Sequence, residues 1–332
     1  MLGYLVRRVL SALVVIVCVV FVVSSMSKLV PGDIVDMMEA GNPGMTEQDK
    51  AVLREQLGVN KPLLRTFFDY TTGIVLRGDF GNSTRFRSSA AVLIGERIPA
   101  TLELALTALL LALVIAMPLG ILCALRQGTA IDYFGTIVSV LGIAVPGFLV
   151  GILLILIFSV ELGWLPSTGY KGSVVVAAWN ALLAWDFAIL WDRLRYILMP
   201  AASLAFAVIA LNVRLIRSTM LEVIRQDYLQ FARAKGVPER TVYLKHAFRN
   251  ALIPTVTIVG LQLGNLLGGT YIIENVFAWP GIGRLAVQSI FWRDYPLIQA
   301  NVLIAACLFV VLNILVDLTY RLIDPRIRYA RR

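Results

Sequence analysis

The sequence predicts an all-α polytopic membrane protein with six transmembrane helices and both termini on the cytoplasmic side. Three observations carry that reading. The 332-residue chain is 58% hydrophobic and only 15% charged, whereas a soluble domain is about half apolar and a quarter charged. Six apolar runs without internal charge approach the roughly 20 residues that a bilayer requires. They are about Val9–Ser27, Leu104–Leu125, Tyr133–Val160, Ile197–Val213, Ala251–Ile273 and Leu297–Val316. In lipid a helix satisfies its own backbone hydrogen bonds, so each run reads as a helix. Finally, with both ends inside, Lys and Arg crowd the inner side. They include Arg7, Arg8, Arg126, eight between Arg214 and Arg249, and five from Arg321 to Arg332. The short outer loops hold only Lys171, Arg193, Arg195, Arg284 and Arg293. This is the positive-inside bias. The net charge of +9 thus reports topology and attraction to membrane lipid rather than nucleic acid.

The elements follow in order. Residues 1–30 read as the first transmembrane helix. Their basic start and apolar run resemble a signal peptide, but the run is long and five more follow, so the helix is retained. Residues 31–99 form an extracytoplasmic loop region whose nine acidic residues nearly balance eight Lys and Arg. Within it "MTEQDKAVLREQLG" reads as a short helix with Thr46 as N-cap and Asp49 at the capping-box position. Residues 100–323 hold the other five helices, and 324–332 form a cytoplasmic tail. "SVVVAAWNALLAWDFAILW", Ser173 to Trp191, competes as a seventh span. Asp186 inside it costs about 2.5–3.5 kcal/mol at mid-membrane, and an added span would put Arg214 to Arg249 outside. The stretch therefore reads as an amphipathic helix in the outer interface, with Trp179, Trp185 and Trp191 near headgroup level. Cys18, Cys123 and Cys307 fall inside apolar runs and read as buried small hydrophobes.

No run carries a central Lys, Arg, Asp, Glu or His, so a proton relay within this chain is not expected. Arg214, Arg217 and Asp317 sit at span ends, where snorkelling makes them cheap. In the fifth run Gly260, Gly264 and Gly268 recur at four-residue spacing, a pattern that lets helices approach closely. Gln262 and Asn265 share a face about 130° away. Either they show two amides to a polar pathway, or they bond to neighbouring helices.

"DYLQFARAKGVPERTVYLKHAFRN", Asp227 to Asn250, is soluble in character between two apolar runs. Helical pattern continues out of the fourth run to Lys235 and stops at Gly236, the residue that best tolerates the left-handed conformation. Pro238 suits a first helical position, and Glu239 favours that helix's dipole. A second short helix, from about Pro238 to Asn250, then meets the fifth run. The product is a helix–Gly–helix elbow. Read alone, it is a docking surface or a solvated connector.

Two sets of residues carry a resemblance. "ARAKG" followed by a short helix is similar to the coupling-helix signature of ABC importer permeases. Ala232 and Gly236 match, while Gln230 and Phe231 replace a Glu and the first Ala. His246, Phe248 and Arg249 stand where the general form has Ile, Leu and Pro. Along nearly the whole chain, "RRVL" with "VPGD", "LGVNKPLL", "RGDFGNS", "RIPATLEL", "ELGWLPSTGY", "MLEVIRQDYLQFARAKGV", "ENVFAWPGIGRL", "RDYPLIQANV" and "DLTYRLIDPRIR" resemble, in order, the permeases of the dipeptide/oligopeptide/nickel ABC importer family, near the dipeptide type. Within that family "ARAKG" is the usual form.

The resemblance implies a type I ABC importer permease fold and an inner-membrane subunit that forms half of a peptide pathway. It implies a second related permease as heterodimer partner, two cytoplasmic ATPase subunits holding ATP and Mg, and an extracytoplasmic substrate-binding protein. It assigns ATPase coupling to Ala232, Ala234, Lys235, Gly236, Glu239 and Arg240, in a coupling helix at about 230–249. It places Glu274, Phe277, Trp279, Pro280, Gly281 and Gly283 at an outer gate or binding-protein contact. Read locally, those residues are a rigid turn with an interface aromatic. The chain has no phosphate-binding loop ending in Gly-Lys-Ser/Thr, so no cofactor and no catalysis are expected in it. His246, the one histidine, lacks companion ligands, so no metal is expected either. Related permeases also carry glutathione, nickel chelates, haem or opine-like compounds. Outside this class, an ATP-independent channel or carrier and a membrane scaffold are the alternatives.

Overall fold

The structure, a computed structural model, describes residues 2–29, 46–56 and 62–323. The "VPGD" motif, with residues 30–45 and 57–61, and the 324–332 tail lie outside the described residues. Among the described residues the regular structure is helical, with one isolated bridge between Asn82 and Ser89. Two compact units are present. One is Met1–Arg97 with Leu285–Val311, and the other Ile98–Arg284 with Leu312–Arg332.

The first unit holds α1 (Leu2–Leu29), α2 (Glu47–Gln56), α3 (Leu63–Arg77) and α4 (Ala90–Gly95). It also holds most of α13 (Ile282–Phe291) and the start of α14 (Tyr295–Ile323). The expected capping box forms at α2. The Asp49 amide donates to Thr46 Oγ1 at 3.2 Å, and the Thr46 amide donates to Asp49 Oδ2 at 3.1 Å. The Thr46 hydroxyl and amide hold the Asp49 carboxyl below its ordinary pKa. α1 packs on α3, with Phe21 and Phe67 edge to face at 5.8 Å.

The second unit is built around α9 (Phe187–Ile224), which packs on α5 (Ile98–Leu125), α6 (Ala130–Ala144), α7 (Gly147–Leu154), α8 (Val174–Ala184) and α12 (Phe248–Val276). Its 38 residues span about 57 Å at 1.5 Å per residue, nearly twice a hydrocarbon core of about 30 Å. The helix therefore runs well past both ends of Ile197–Val213. The close seam between α5 and α9 comes from small residues. Ala108, Ala112 and Ala116 are fully buried, and Gly120, the next in the series, would place a Cβ 2.9 Å from Ile216. In lipid such packing, rather than the hydrophobic effect, holds helices together. The fifth-run glycines differ among themselves. Gly264 is buried, but Gly268 is exposed, and an added Cβ there would have no neighbour within 4 Å.

Among the described residues four stretches are long and apolar enough to cross a membrane: Val6–Ser25, Ala90–Leu125, Phe187–Ile224 and Tyr295–Val316. Six is reached when two bent pairs each count as one span. The third run is such a pair, bent 105° between α6 and α7. Pro146 explains the break, since a proline disfavours the helical conformation in the preceding residue, and Val145 is extended. The fifth run bends 49° around Ile253–Pro254.

Ser173–Trp191 is not the single amphipathic helix expected. α8 ends at Trp185, whose φ is +53°, and Asp186 caps α9 by accepting from the Ala188 amide. α8 buries Ala177 and Ala181 and exposes Val175, Trp179, Leu182 and Leu183, so its outward face is apolar rather than polar. Its N-terminus is anchored by buried Glu103 of α5, which accepts from the Ser173 hydroxyl and the Val175 amide, both at 3.0 Å.

Candidate functional site

Both candidate regions lie in the second unit, at the two ends of α12. The elbow is more finely divided than the sequence pattern indicates. α9 stops at Ile224, Arg225 and Gln226 break the helix, and α10 (Asp227–Ala234) starts anew. The fourth run therefore does not continue unbroken to Lys235. Gly236 follows at φ +77°, and an added Cβ there meets nothing within 4 Å. Glycine is required at that position by backbone conformation, not by space. Pro238 is the N-cap of α11 (Glu239–Thr241), one position before the first helical residue expected for it. A π-helical turn, Val242–Ala247, joins α11 to α12.

An apolar cluster fastens the elbow to the helix ends. Leu229, Val242 and Ala247 are fully buried against Ala124, Ile216, Met220 and Ala251, with Ala232 packed at the edge. Ala234, Lys235, Gly236, Glu239 and Arg240 face solvent. Arg233 Nε donates to Glu239 Oε1 at 3.0 Å, clamping the bend from outside. The Asn250 amide donates to the Tyr228 hydroxyl at 2.6 Å. The exposed apolar side chains on this otherwise wet surface include Phe231, 70% exposed, and Leu244, neither of which the sequence assigns to docking. An exposed aromatic suits a docking anchor. The clue was the replacement of a small residue by Phe in the coupling-helix pattern.

Above the elbow, Arg217 of α9 is not a free snorkelling cation. It forms a two-pronged pair with buried Asp132 of α6, with Nη2 to Oδ2 at 2.9 Å. The Gly128 amide donates to the same carboxylate. The loop entering α6 is thereby tied to the C-terminal half of α9.

At the other end of α12, the residues from Glu274 to Gly283 come together as a buried turn. Glu274 is fully buried, and Phe277 and Trp279 are 1% exposed. Trp279 is therefore not an interface aromatic. Its indole donates to the Ala100 carbonyl at 2.9 Å, and its ring stands edge-on to Tyr170 at 4.7 Å. The Glu274 carboxylate accepts from the Thr101 hydroxyl at 2.7 Å and from the Arg284 amide at 2.8 Å. Thr101 Oγ1 in turn accepts from the Ile282 amide. A Cβ at Gly281 would lie 2.1 Å from Glu274 Oε1, and one at Gly283 would lie 2.6 Å from the Tyr271 backbone. Pro280 completes the bend, and the Phe277 carbonyl accepts from the Gly169 amide. The turn thus closes around a buried carboxylate and locks to the start of α5.

The two amides of α12 separate. Gln262 is buried and accepts from Asn212 of α9 at 2.8 Å, whereas Asn265 is exposed. Gln262 therefore packs between helices, and Asn265 alone retains a surface.

The sequence matches the family described as binding-protein-dependent transport system inner membrane component over residues 116–329. Its N-terminal companion matches over residues 1–105. The chain is 39% identical to the oligopeptide transport system permease protein AppB of Bacillus subtilis (strain 168), over 99% of this chain and all of that one. It is 39% identical to the glutathione transport system permease protein GsiC of Salmonella typhimurium, and 36% to the dipeptide transport system permease protein DppB of Alkalihalophilus pseudofirmus, again over 99% of this chain and all of each relative. In fold it is similar to the MetNI methionine ABC transporter in an inward-facing conformation, with a TM-score of 0.53 at 16% identity, over 70% of this chain and 96% of that one. The chain belongs to the inner-membrane component family of binding-protein-dependent transport systems, and is the permease of an ABC importer that works with an ATPase and a substrate-binding protein.

Proposed function

We propose that the chain forms half of the translocation pathway of a peptide importer, paired with a second related permease, without catalytic activity of its own. ATP and Mg sit on two cytoplasmic ATPase subunits. The elbow, from Ala232 to Arg240 with Phe231 as anchor, seats in the ATPase and passes its motion to α9 and α12. Residues 100–323 act as the permease core, and both termini face the cytoplasm. The outer turn, from Glu274 to Gly283, moves as one block with the start of α5 and meets the binding protein. Asn265 is the amide that faces the pathway.

The observation that carries this reading is the elbow itself. Its charged residues face water, while its anchors are buried against the inner ends of three long helices. A push on the elbow is delivered to those helices. Two of the relatives, at 39% and 36% identity, are named for oligopeptide and dipeptide, and one, at 39%, for glutathione. All three cargoes are short chains of amide-linked amino acids, and glutathione is the second reading.

The test is uptake by the reassembled complex with its binding protein, measured for di-, tri- and tetrapeptides and for glutathione. ATP-dependent uptake of peptides, abolished when the ATPases are omitted, is expected. Uptake without ATPases would overturn the assignment in favour of a carrier or channel. Mass spectrometry of what co-purifies with the chain, crosslinked in its native membrane, identifies the second permease. Recovery of this chain alone or as a homo-oligomer would reject the heterodimer.

A further inference from the structure

Two features of the first unit remain without a role in transport: a rim of arginines and aromatics, and an apolar cleft between spans. We infer that together they bind one anionic phospholipid, with its phosphate on the rim and one acyl chain in the cleft.

The rim is built by a staple. Asp294 is fully buried and accepts from the Ser83 hydroxyl and from the Arg85 and Leu297 amides. That fixes the 83–87 turn against the junction of α13 and α14. Arg85, Arg87 and Arg293 are exposed on the two joined segments. Arg85 lies over the Trp292 ring at 6.0 Å, and Phe86 meets the same ring edge-on at 5.3 Å. Arg87 and Arg293 both adopt positive φ, +51° and +54°, a conformation that is uncommon outside glycine. Among the described residues none of the three arginines forms an ion pair; the Asp294 and Asp79 carboxylates beside them accept hydrogen bonds within the staple and from the Gly81 amide. Beside them Ile290 is 60% and Phe291 81% exposed. Exposed apolar side chains flanked by arginines are the composition of a surface at headgroup level.

The cleft has a volume of about 230 Å³ and lies between α1, α3 and α14. Val17, Val20, Phe67, Phe80, Leu303 and Cys307 line it. The Thr71 hydroxyl, the one side-chain oxygen in its wall, is already committed to the Phe67 carbonyl. No polar solute finds a partner there, and two of its three helices carry membrane spans.

Rim and cleft stand at the right separation. The charge-free stretch Tyr295–Val316 begins directly after Arg293 and Asp294. Along α14, Leu303 lies about 12 Å and Cys307 about 18 Å beyond Tyr295 at 1.5 Å per residue. A hydrocarbon leaflet is about 15 Å deep. A phosphate at the arginines therefore sets an acyl chain beside Leu303 and Cys307.

The test is native mass spectrometry of the assembled transporter with phosphatidylglycerol or phosphatidylcholine supplied. Wild type is expected to retain phosphatidylglycerol preferentially. The triple variant Arg85→Gln/Arg87→Gln/Arg293→Gln should lose at least ~10-fold of that retention, as three cations at an anionic surface predict. The triple Arg→Lys variant should keep most of it and so separates charge from misfolding. Cys307→Phe, which fills the cleft and leaves the rim intact, should also lose the lipid. Equal retention of the two lipids by wild type would overturn the proposal, as would a Cys307→Phe variant that binds like wild type. If the triple Gln variant keeps its lipid but loses affinity for the binding protein, the rim is a protein-docking face and the lipid assignment is wrong.

Discussion

The two ends of α12 solve opposite problems. At the elbow, apolar anchors are buried and the polar groups face water. At the turn from Glu274 to Gly283, a carboxylate, a hydroxyl and backbone amides are buried together, and the aromatics close over them. The first arrangement is held by packing and leaves a chemically varied surface to be gripped. The second is held by hydrogen bonds in a dry setting, where each unmade bond costs heavily, so it resists deformation. The lesson is that a loop joining two apolar helices need not be a flap. Here it is a rigid block fastened to α5.

Substitutions break or sharpen that contrast. Trp279→Ala should have the largest effect, about 3–5 kcal/mol of destabilisation, because it empties a buried aromatic site and removes the indole hydrogen bond to the Ala100 carbonyl. Thermal unfolding of the purified complex reads this, and an unchanged melting temperature would mean that the turn is not packed as described. Gly281→Ala should cost about 1–3 kcal/mol by overpacking against Glu274. Restoration of stability by the second change Glu274→Ser would locate the clash. Gly236→Val should cost roughly 1–2 kcal/mol, the penalty for a left-handed side chain, with normal membrane insertion but reduced transport-coupled ATPase activity. Undiminished uptake in that variant would remove the elbow from the coupling path. Phe231→Ala should change stability least, by about 0.5 kcal/mol or less for an exposed site, yet weaken ATPase co-purification. If it weakens neither assembly nor ATPase activity, Phe231 is not an anchor.

Some of this was legible residue by residue. The capping box at Thr46 and Asp49 was, because both partners lie three residues apart. The left-handed glycine at 236 was, because an interrupted helical pattern before Val-Pro leaves few alternatives. The kink at Pro146 was available from proline alone, but the apolar run hid it. Other features had no local signal. The break at Arg225–Gln226 contains neither Gly nor Pro. Nothing local marked Glu103 or Glu274 as a buried hydrogen-bonding centre, because their partners are 70 and 173 positions away in sequence. The fifth-run glycines drew attention to spacing, while the seam that packs is the alanine series of α5. Spacing alone does not say which face meets a neighbour.

The sequence by itself determined the class of protein, the number of apolar runs and the family. Each depends on composition or on short-range order, and neither needs the chain to be folded. Only the tertiary structure decided which polar groups are buried together, which glycines a neighbour forbids to change, and that Gln262 and Asn265 part company. Those facts depend on contacts between residues far apart in the chain, and the low-dielectric interior gives such contacts their energy.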